Sequence, residues 1–302
     1  MMNLGQKIKN LRVEKMMTQK ELAGGEITRN MLSQIENGLA QPSLATVFYL
    51  AKKLSVPAGY LLSEGDEEFI YNKTGAMKNI KRAYVDRNFE LCREMCLSSF
   101  EEQDDELELI LVDSCLGLAI ECAVGGKLYR ACRLLDEAWT HADKTMYCCT
   151  MQRNTIRVIF ALLSEVSPTL DSYEADTENL DSISDPALYD SVLAKYATLV
   201  FNEEKYDLID MLSDGGYTPI YEYDELLISH LKVKKLMSEG NFAEARKLLL
   251  GIMDGDVTPP RLLLYLACCD MEICCREEND YKGAYEFSGN RLEILEHMLI
   301  DG

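Results

Sequence analysis

The sequence predicts an all-α protein with two parts: five short helices in residues 1–65, then an α-solenoid of about six helix pairs in residues 66–302. Two observations support this prediction. Short amphipathic segments, separated by helix caps and glycine turns, fill the first 62 residues. Behind them, one helix-turn-helix pattern recurs at near-regular intervals, as in repeat proteins.

Composition places the chain in the ordinary globular class. It has 302 residues, of which 47% are hydrophobic and 27% charged, and this length is enough for two domains. No apolar run approaches the roughly 18 residues of a membrane helix, and charged residues interrupt the N-terminus where a signal peptide would be apolar. We therefore expect a cytoplasmic protein without membrane contact.

The charge is divided unevenly along the chain. Residues 1–62 contain eight Lys or Arg and four acidic residues, a balance of +4, although the whole chain carries −20. The remainder must therefore carry −24. A basic head on an acidic body indicates that only the head approaches an anion, although chance variation between domains would give a similar division.

The first two helices are predicted from spacing and capping. Leu4, Ile8 and Leu11 recur at helical intervals and predict an amphipathic helix over 3–16. In 18-TQKE-21, the Thr18 hydroxyl can accept from the Glu21 N–H while the Glu21 side chain reaches back, which is a capping box. The second helix, 18–23, then ends at a glycine pair that allows a tight turn.

Three further helices follow. Thr28 is a plausible N-cap for the third helix, which ends at 37-NG-38. The fourth helix is opened by 42-PS-43 and runs to about Leu54, and Pro57 opens a short fifth. Five short helices, the second and third joined by a glycine turn, predict a helix-turn-helix domain.

The third helix has two different faces. Helical geometry places Met31, Leu32 and Ile35 on one side, where Leu32 and Ile35 can pack under the other helices. The opposite side carries long hydrogen-bonding side chains together with a serine: Arg29, Asn30, Ser33 and Gln34. Such a face is either a solvated surface or a surface that reads another molecule.

The run MTQKELAGG…ITRNMLSQIENGLAQPSLATVFYLAKKLSV resembles the lambda-repressor-like, or XRE, family of DNA-binding domains over about 60 residues. The resemblance implies that the third helix enters the major groove of double-stranded DNA, where Arg pairs with guanine and Asn or Gln with adenine. It assigns base readout to Arg29, Asn30, Ser33 and Gln34. It also implies a structural ion pair between Arg12 and Glu36. The implied phosphate contacts are Gln19, the N–H of Asn37, and more weakly Lys7, Lys20 and Thr28.

Residues 66–302 contain one pattern five times. Each copy has an apolar anchor, a residue three positions later that is mostly small, and an apolar residue six positions later. The anchors are Phe89, Leu128, Tyr206, Phe242 and Tyr281, at spacings of 39, 78, 36 and 39. Because 78 is twice 39, we expect a hidden sixth unit that turns near residue 167, with a degenerate second half over 168–186. The pattern is similar to tetratricopeptide repeats, whose helix pairs stack into a solenoid.

Catalytic and metal sites are not predicted. The eleven cysteines of a cytosolic chain indicate reduced thiols, several of them at core positions of the repeats. Cys268 and Cys275 would share a helix face, but no histidine lies near them in sequence. His141, His230 and His297 lack a neighbouring catalytic constellation, and no glycine-rich phosphate loop occurs. We expect a non-enzymatic protein without cofactor or metal.

The combination of an XRE head and a tetratricopeptide-like body resembles the RRNPP-type peptide-sensing regulators that act in quorum sensing. The resemblance implies a homodimeric transcription regulator in which a short signalling peptide repositions the DNA-binding heads. A cluster on the first helix of the third unit is the candidate peptide site: Gln152, Arg153, Asn154 and Arg157. The open alternatives are that these residues pair with surface acids, that the regulator has no small effector, and that the solenoid is a protein-interaction scaffold.

Overall fold

The computed structural model describes residues 3–63, 66–100, 102–167, 191–201, 209 and 219–300, and side chains of 66–68 are outside the description. Every regular element in this part of the chain is an α-helix, as predicted. The chain divides into two compact units, Met1–Arg82 and Ala83–Gly302. The domain boundary predicted at residue 65 lies just before the helix that contains this division, and it stays a prediction.

The first unit contains the predicted helices near their predicted bounds. Its helices are α1 (Leu4–Glu14), α2 (Gln19–Ala23), α3 (Arg29–Glu36), α4 (Leu44–Leu54), α5 (Ala58–Leu62) and most of α6 (Asp66–Val85). The capping box of Thr18 and Glu21 is present, and the hydroxyls of Thr28 and Ser43 accept from backbone N–H groups of α3 and α4. The core joins side chains of α1 to α5, among them Ile8, Leu22, Leu32, Leu50 and Leu61.

The second unit consists of stacked helix pairs. After the end of α6 its described helices are α7 (Phe89–Ser99), α8 (Asp105–Val124), α9 (Leu128–Lys144), α10 (Thr150–Val166), α11 (Val192–Val200), α12 (Asp224–Ser238), α13 (Phe242–Met253), α14 (Arg261–Glu277) and α15 (Tyr281–Ile300). The predicted degenerate segment 168–186 and the anchor Tyr206 lie outside the described residues.

The turn between paired helices repeats in detail. In each described turn one residue, two positions before the anchor, has a positive φ: Arg87, Gly126, Gly240 and Asn279. The next residue donates its N–H to the carbonyl five positions earlier, for example Asn241 to Leu236 at 2.8 Å and Asp280 to Cys275 at 2.7 Å. This left-handed C-cap closes each first helix and turns the chain into the second helix.

The predicted packing register holds three positions after each anchor. The residues there are all buried: Cys92, Ala131, Ile209, Ala245 and Ala284. The anchors behave less uniformly, since Phe89 and Leu128 are buried but Tyr281 is 69% exposed. The pattern placed an apolar anchor at Tyr281, but among the described residues its side chain lies largely in solvent and is not part of the core.

The second unit is held together by contacts between pairs that are distant in sequence. The Tyr265 hydroxyl donates to the Val166 carbonyl at 3.2 Å, and the Tyr221 hydroxyl donates to Glu121 at 3.3 Å. A Cβ built on Gly126 would lie within 3 Å of Arg261 and Met298, so glycine lets the last pair approach the α8–α9 turn. None of the described helices combines the length and apolar character that crossing a bilayer demands.

Candidate nucleic-acid interface and effector groove

Helix α3 is anchored on one side and open on the other. Leu32 is fully buried and Ile35 is 1% exposed, so both fix the helix to the core. Arg29, Asn30 and Gln34 are exposed and Ser33 is half-buried. The structure therefore brings the four predicted base-reading residues together on the solvent side of a rigidly held helix.

A buried carboxylate joins the first three helices. The Glu36 carboxylate accepts three hydrogen bonds: from Nε of Arg12 at 2.6 Å, from Nη2 of Arg12 at 3.0 Å and from Nε2 of Gln19 at 2.8 Å. Arg12 also donates to the Met17 carbonyl at 2.9 Å. Burial would raise the pKa of Glu36, but the hydrogen bonds from Arg12 and Gln19 outweigh it and hold that pKa below its usual value. The ion pair implied by the resemblance is present.

The same carboxylate determines the position of Gln19. The amide nitrogen of Gln19 donates a hydrogen bond to Glu36, and the Gln19 side chain is half-buried at the start of α2. A phosphate contact by Gln19 therefore has to use its remaining polar atoms. This assignment stays a prediction, and Glu36 is the residue that orients Gln19.

Lys7 requires a correction. Its side chain is 1% exposed, and Nζ donates to the Ser63 carbonyl at 2.8 Å, the Ser63 hydroxyl at 3.1 Å and the Tyr60 carbonyl at 3.2 Å. Nζ also lies 5.0 Å from the centroid of the Tyr60 ring. Lys7 thus caps the end of α5 from inside the domain and is not available to a DNA phosphate.

The remaining phosphate candidates lie near α3. Lys20 and Thr28 are exposed, although the Thr28 hydroxyl already accepts from the Met31 N–H at 3.1 Å. The N–H of Asn37 donates to the Ser33 carbonyl at 3.1 Å, so it is engaged within the helix end and the assignment of that N–H is corrected. The side chain of Asn37 is exposed.

The predicted peptide residues on α10 are largely engaged with acids and carbonyls. Gln152 donates to Asp113 at 3.1 Å, and Arg153 donates to Asp143 and to the Ala142 carbonyl, each at 2.8 Å. Arg153 also stacks 5.5 Å from the Trp139 ring centroid. Asn154 and Arg157 are half-buried. Gln152 and Arg153 therefore fit the alternative in which these residues pair with groups of the chain itself and not with a peptide.

A groove elsewhere in the second unit was not predicted. It has a volume of about 460 Å³ and is lined by residues of α10, α11, α12, α14 and α15, together with Phe201. Apolar side chains such as Leu162, Leu266 and Ile273 form much of its wall, and Lys234 and Arg291 add charge. Its residues come from helices that meet only in the fold, so no local motif indicated it.

A row of polar residues includes three that line this groove, Tyr196, Lys234 and Asp270. The Tyr196 hydroxyl lies 2.8 Å from Nδ1 of His230, whose Nε2 lies 3.2 Å from Asp270. Lys234 binds the other oxygen of Asp270 at 2.7 Å. Burial would raise the pKa of Asp270, but His230 and Lys234 outweigh it and keep that pKa low. The carboxylate is therefore charged and links successive first helices of the solenoid.

One cluster has the residue types of a metal site. Cys115, Glu137 and His141 place ligand atoms within 4.8 Å of one another. Arg93, however, donates to both oxygens of Glu137 at 2.9 Å, so a guanidinium already occupies the carboxylate. The hydrogen bond from His141, with Arg93, lowers the pKa of Glu137 to about 2. We read the cluster as an internal ion-pair network.

The eleven cysteines are all free thiols, and Cys148 is the exposed one among them. Cys268 and Cys275 are both buried. Burial raises the pKa of Cys268 to about 11 and of Cys274 to about 12, which keeps these thiols protonated and unreactive. Cys268, Cys274 and Cys275 therefore behave as small core residues.

Comparison with known proteins identifies the first unit. Residues 8–61 match the family model described as helix-turn-helix. They form a helix-turn-helix domain of the XRE type. Among solved structures, the chain is similar to PlcR of Bacillus thuringiensis in complex with the peptide PapR7 and DNA, at 16% identity and a TM-score of 0.25. That match covers 99% of this chain and 96% of the other, and no curated protein matches the chain.

Within the helix-turn-helix domain, α2 and α3 are the two helices of the motif. The matched range begins in α1 and ends in α5, so it includes Arg12, Gln19 and Glu36 as well as the exposed face of α3. The buried ion pair between Arg12 and Glu36 thus belongs to the scaffold of the domain, and it fixes α3 to α1.

Proposed function

We propose that this protein is a sequence-specific, homodimeric DNA-binding transcription regulator that acts in the cytoplasm and has no enzymatic activity. The observation that carries the proposal is the exposed face of α3: Arg29, Asn30 and Gln34 are open to solvent while Leu32 and Ile35 hold the helix in the core. In helix-turn-helix domains the second helix of the motif lies in the major groove with its N-terminal residues on the base edges.

The chemistry of this face suits base recognition. Arg29 can bind guanine O6 and N7 through two N–H groups, and Asn30 or Gln34 can bind adenine N6 and N7. Lys20 in α2, and Thr28 and Asn37 at the two ends of α3, are exposed and are proposed to contact phosphates. The acidic remainder of the chain, at −24, favours a geometry in which the head alone meets DNA.

A dimer follows from the small size of the head. One recognition helix reads only a few base pairs, so this class of domain binds two half-sites about one helical turn apart. We propose that the second unit holds two heads together. The interaction-scaffold alternative needs no DNA binding at all.

A salt-dependent gel shift separates the regulator from the scaffold. The probe is the promoter next to this gene, titrated with the full chain from 50 to 200 mM salt. Because Lys and Arg on phosphates release counterions, affinity for the promoter is expected to fall by at least tenfold over this range. A chain that shifts neither the promoter nor random duplex at 50 mM salt contradicts the regulator and favours the scaffold.

A second candidate function is gating by a short peptide. The groove of about 460 Å³ favours it, since its apolar wall suits the side chains of a small flexible ligand, and its lining offers both cations (Lys234, Arg291) and carboxylates (Glu165, Asp270) for polar contacts. The cluster at Gln152, Arg153, Asn154 and Arg157 remains the alternative position for the same ligand. A regulator without any effector is the remaining alternative.

Calorimetry with short secreted peptides from the same genome tests the gating. Ile273→Asp changes the groove at a residue that is 45% exposed, and Arg153→Ala changes the cluster on α10. If the Ile273→Asp variant no longer gives heat of binding and the Arg153→Ala variant still does, the peptide binds in the groove. The opposite result supports the cluster on α10. Absence of heat for every peptide favours the regulator without effector.

A further inference from the structure

The end of α2 is held by a side chain from α4. The Tyr49 hydroxyl donates to the Ala23 carbonyl at 3.0 Å and lies 3.4 Å from the Leu22 carbonyl. Leu22 and Ala23 are the last two residues of α2. The last carbonyls of a helix have no partner inside that helix, so Tyr49 supplies one from a different helix.

The Ala23 carbonyl also contacts the segment that leads into α3. The Ile27 N–H donates to it at 3.4 Å, and the next residue, Thr28, is the N-cap of α3. One carbonyl therefore connects α2, α4 and the start of α3. Since α2 has only five residues, its own hydrogen bonds cannot fix its direction, and contacts of this kind have to do so.

Gly24 leaves the space in which the Tyr49 hydroxyl lies. Its φ of 56° and ψ of −129° are a conformation that favours glycine. A Cβ built on Gly24 would lie 2.2 Å from the Tyr49 hydroxyl oxygen and 3.5 Å from Cζ of the same ring. A Cβ built on the neighbouring Gly25 would meet no atom within 4 Å. The two glycines of the turn therefore differ, because only the first is in contact with Tyr49.

We propose that Tyr49 is a positioning residue for sequence recognition, which sets the angle between α2 and α3 through the Ala23 carbonyl. The proposal rests on the DNA binding proposed above and names a further residue on which it depends. In helix-turn-helix domains the first helix of the motif crosses the DNA backbone while the second lies in the major groove. The angle between the two helices decides whether phosphate contacts from α2 and base contacts from α3 form together.

Tyr49 acts on specificity and not as a DNA contact. Its hydroxyl is engaged by the carbonyls of α2, and its side chain is half-buried. Phosphate contacts alone support binding to any duplex, whereas base contacts discriminate between sequences. A turn without the hydroxyl therefore weakens binding to the operator and leaves binding to random duplex nearly unchanged.

Gel shifts of the full chain with Tyr49→Phe test the proposal, because this substitution removes the hydroxyl and keeps the ring. The probes are the promoter next to this gene and a random duplex. The ratio of promoter affinity to random-duplex affinity is expected to fall roughly two- to tenfold, the equivalent of one hydrogen bond. An unchanged ratio in a folded Tyr49→Phe variant overturns the proposal.

A matched control separates positioning from a general loss of stability. Ile8 is fully buried in α1, and Ile8→Val is expected to lower the thermal unfolding midpoint by a few degrees, as a small core truncation does. It should leave the affinity ratio unchanged. If Ile8→Val lowers the ratio as much as Tyr49→Phe does, Tyr49 is only structural and the proposal fails.

A double variant tests the contact itself. Gly24→Ala is expected to lower the unfolding midpoint and the affinity ratio, and it should lower both by less in a Tyr49→Phe background, where the hydroxyl no longer fills the space. Gly25→Ala is the control within the same turn and should lower neither. A loss from Gly24→Ala that is equally large in both backgrounds contradicts the contact.

The outcomes separate this inference from the proposed function. If the original chain prefers the promoter and Tyr49→Phe keeps that preference in full, only the role of Tyr49 is overturned. If the original chain binds promoter and random duplex equally, or binds neither, the sequence-specific regulator and the role of Tyr49 are overturned together.

Discussion

Glu36 is a buried acidic residue that joins the first three helices of the helix-turn-helix domain. It is 4% exposed, and its charge is neutralised by Arg12 and supported by Gln19. Removing one partner of a buried pair leaves the other charge without compensation, which costs more than the pair contributes. Its role is to hold α1, α2 and α3 in a fixed relation.

We expect Arg12→Leu to lower the free energy of unfolding of the chain by about 2 to 4 kcal/mol, because Glu36 then stays buried without its guanidinium. Urea denaturation followed by circular dichroism measures the change. Arg29→Leu, at an exposed position, is the matched control and should change stability by less than about 0.5 kcal/mol. Equal effects of the two substitutions would contradict a structural role for the pair.

The pair also predicts a pH dependence. The pKa of Glu36 is lower in the folded chain than its ordinary value, so its contribution is present above that ordinary value and is lost as pH falls through the folded pKa. The stability difference between the original chain and Arg12→Leu should therefore shrink in acid. Denaturation at pH 7 and at pH 3 measures it, and a difference that grows toward pH 3 would speak against the assignment.

Gly5 is a residue whose importance the sequence did not indicate. A Cβ at this position would lie 2.2 Å from the Ile35 carbonyl oxygen and 3.0 Å from that of Glu36. Backbone atoms of α3 cannot move aside as a side chain does. Glycine is thus what allows α1 to lie against the end of α3.

We expect Gly5→Ala to destabilise the chain by about 2 kcal/mol, as overpacking does. Gly75→Ala in α6 is the control, because its added Cβ meets no atom within 4 Å, and it should raise stability by about 0.5 to 1 kcal/mol. Thermal unfolding of both variants compares them. A neutral Gly5→Ala would mean that α1 and α3 are not in close contact.

The repeat turns are the feature that organises the second unit at the scale of elements. Gly240 has φ of 76° and lies in open space, so only its backbone conformation requires glycine. Arg87 and Asn279 adopt the same conformation with φ of 54° and 60°. The turn geometry is thus conserved within the array even where the residue is not glycine.

We expect Gly240→Ala to lower stability by about 1 kcal/mol through its left-handed backbone. Gly251→Ala, within α13 and also in open space, should instead raise stability by about 0.5 to 1 kcal/mol, because alanine favours the helix. If the turn is as described, chemical denaturation shows changes of opposite sign in the free energy of unfolding of the two variants. Stabilisation by Gly240→Ala would show that this turn is not left-handed.

Local signals in the sequence predicted the helices well. Caps at Thr18, Thr28 and Ser43 and the small residues after each anchor depend on neighbours within one or two turns, so they can be read from the chain. Contacts between distant segments could not be read in this way. Lys7 is buried by residues 53 and 56 positions away, and the row of Tyr196, His230 and Asp270 forms only when helix pairs stack.

At the scale of the whole molecule, charge and side-chain exposure separate the two units by task. The first 62 residues carry +4 and present a polar recognition face, whereas the rest of the chain carries −24. The second unit contributes the groove. We propose that the basic unit binds DNA and that the acidic unit brings two such units together.

The most direct test of this account is operator binding by the double variant Arg29→Ala/Gln34→Ala, measured by gel shift beside Lys52→Ala. Lys52 is an exposed cation at the end of α4, so Lys52→Ala removes one positive charge, as Arg29→Ala does in the double variant. We predict that the double variant keeps its helical fold and loses at least a hundredfold in specific affinity, since each base contact contributes about 1 to 3 kcal/mol, while Lys52→Ala changes affinity less than about threefold. Unchanged operator affinity in a folded double variant would contradict the assignment of α3 as the reading helix.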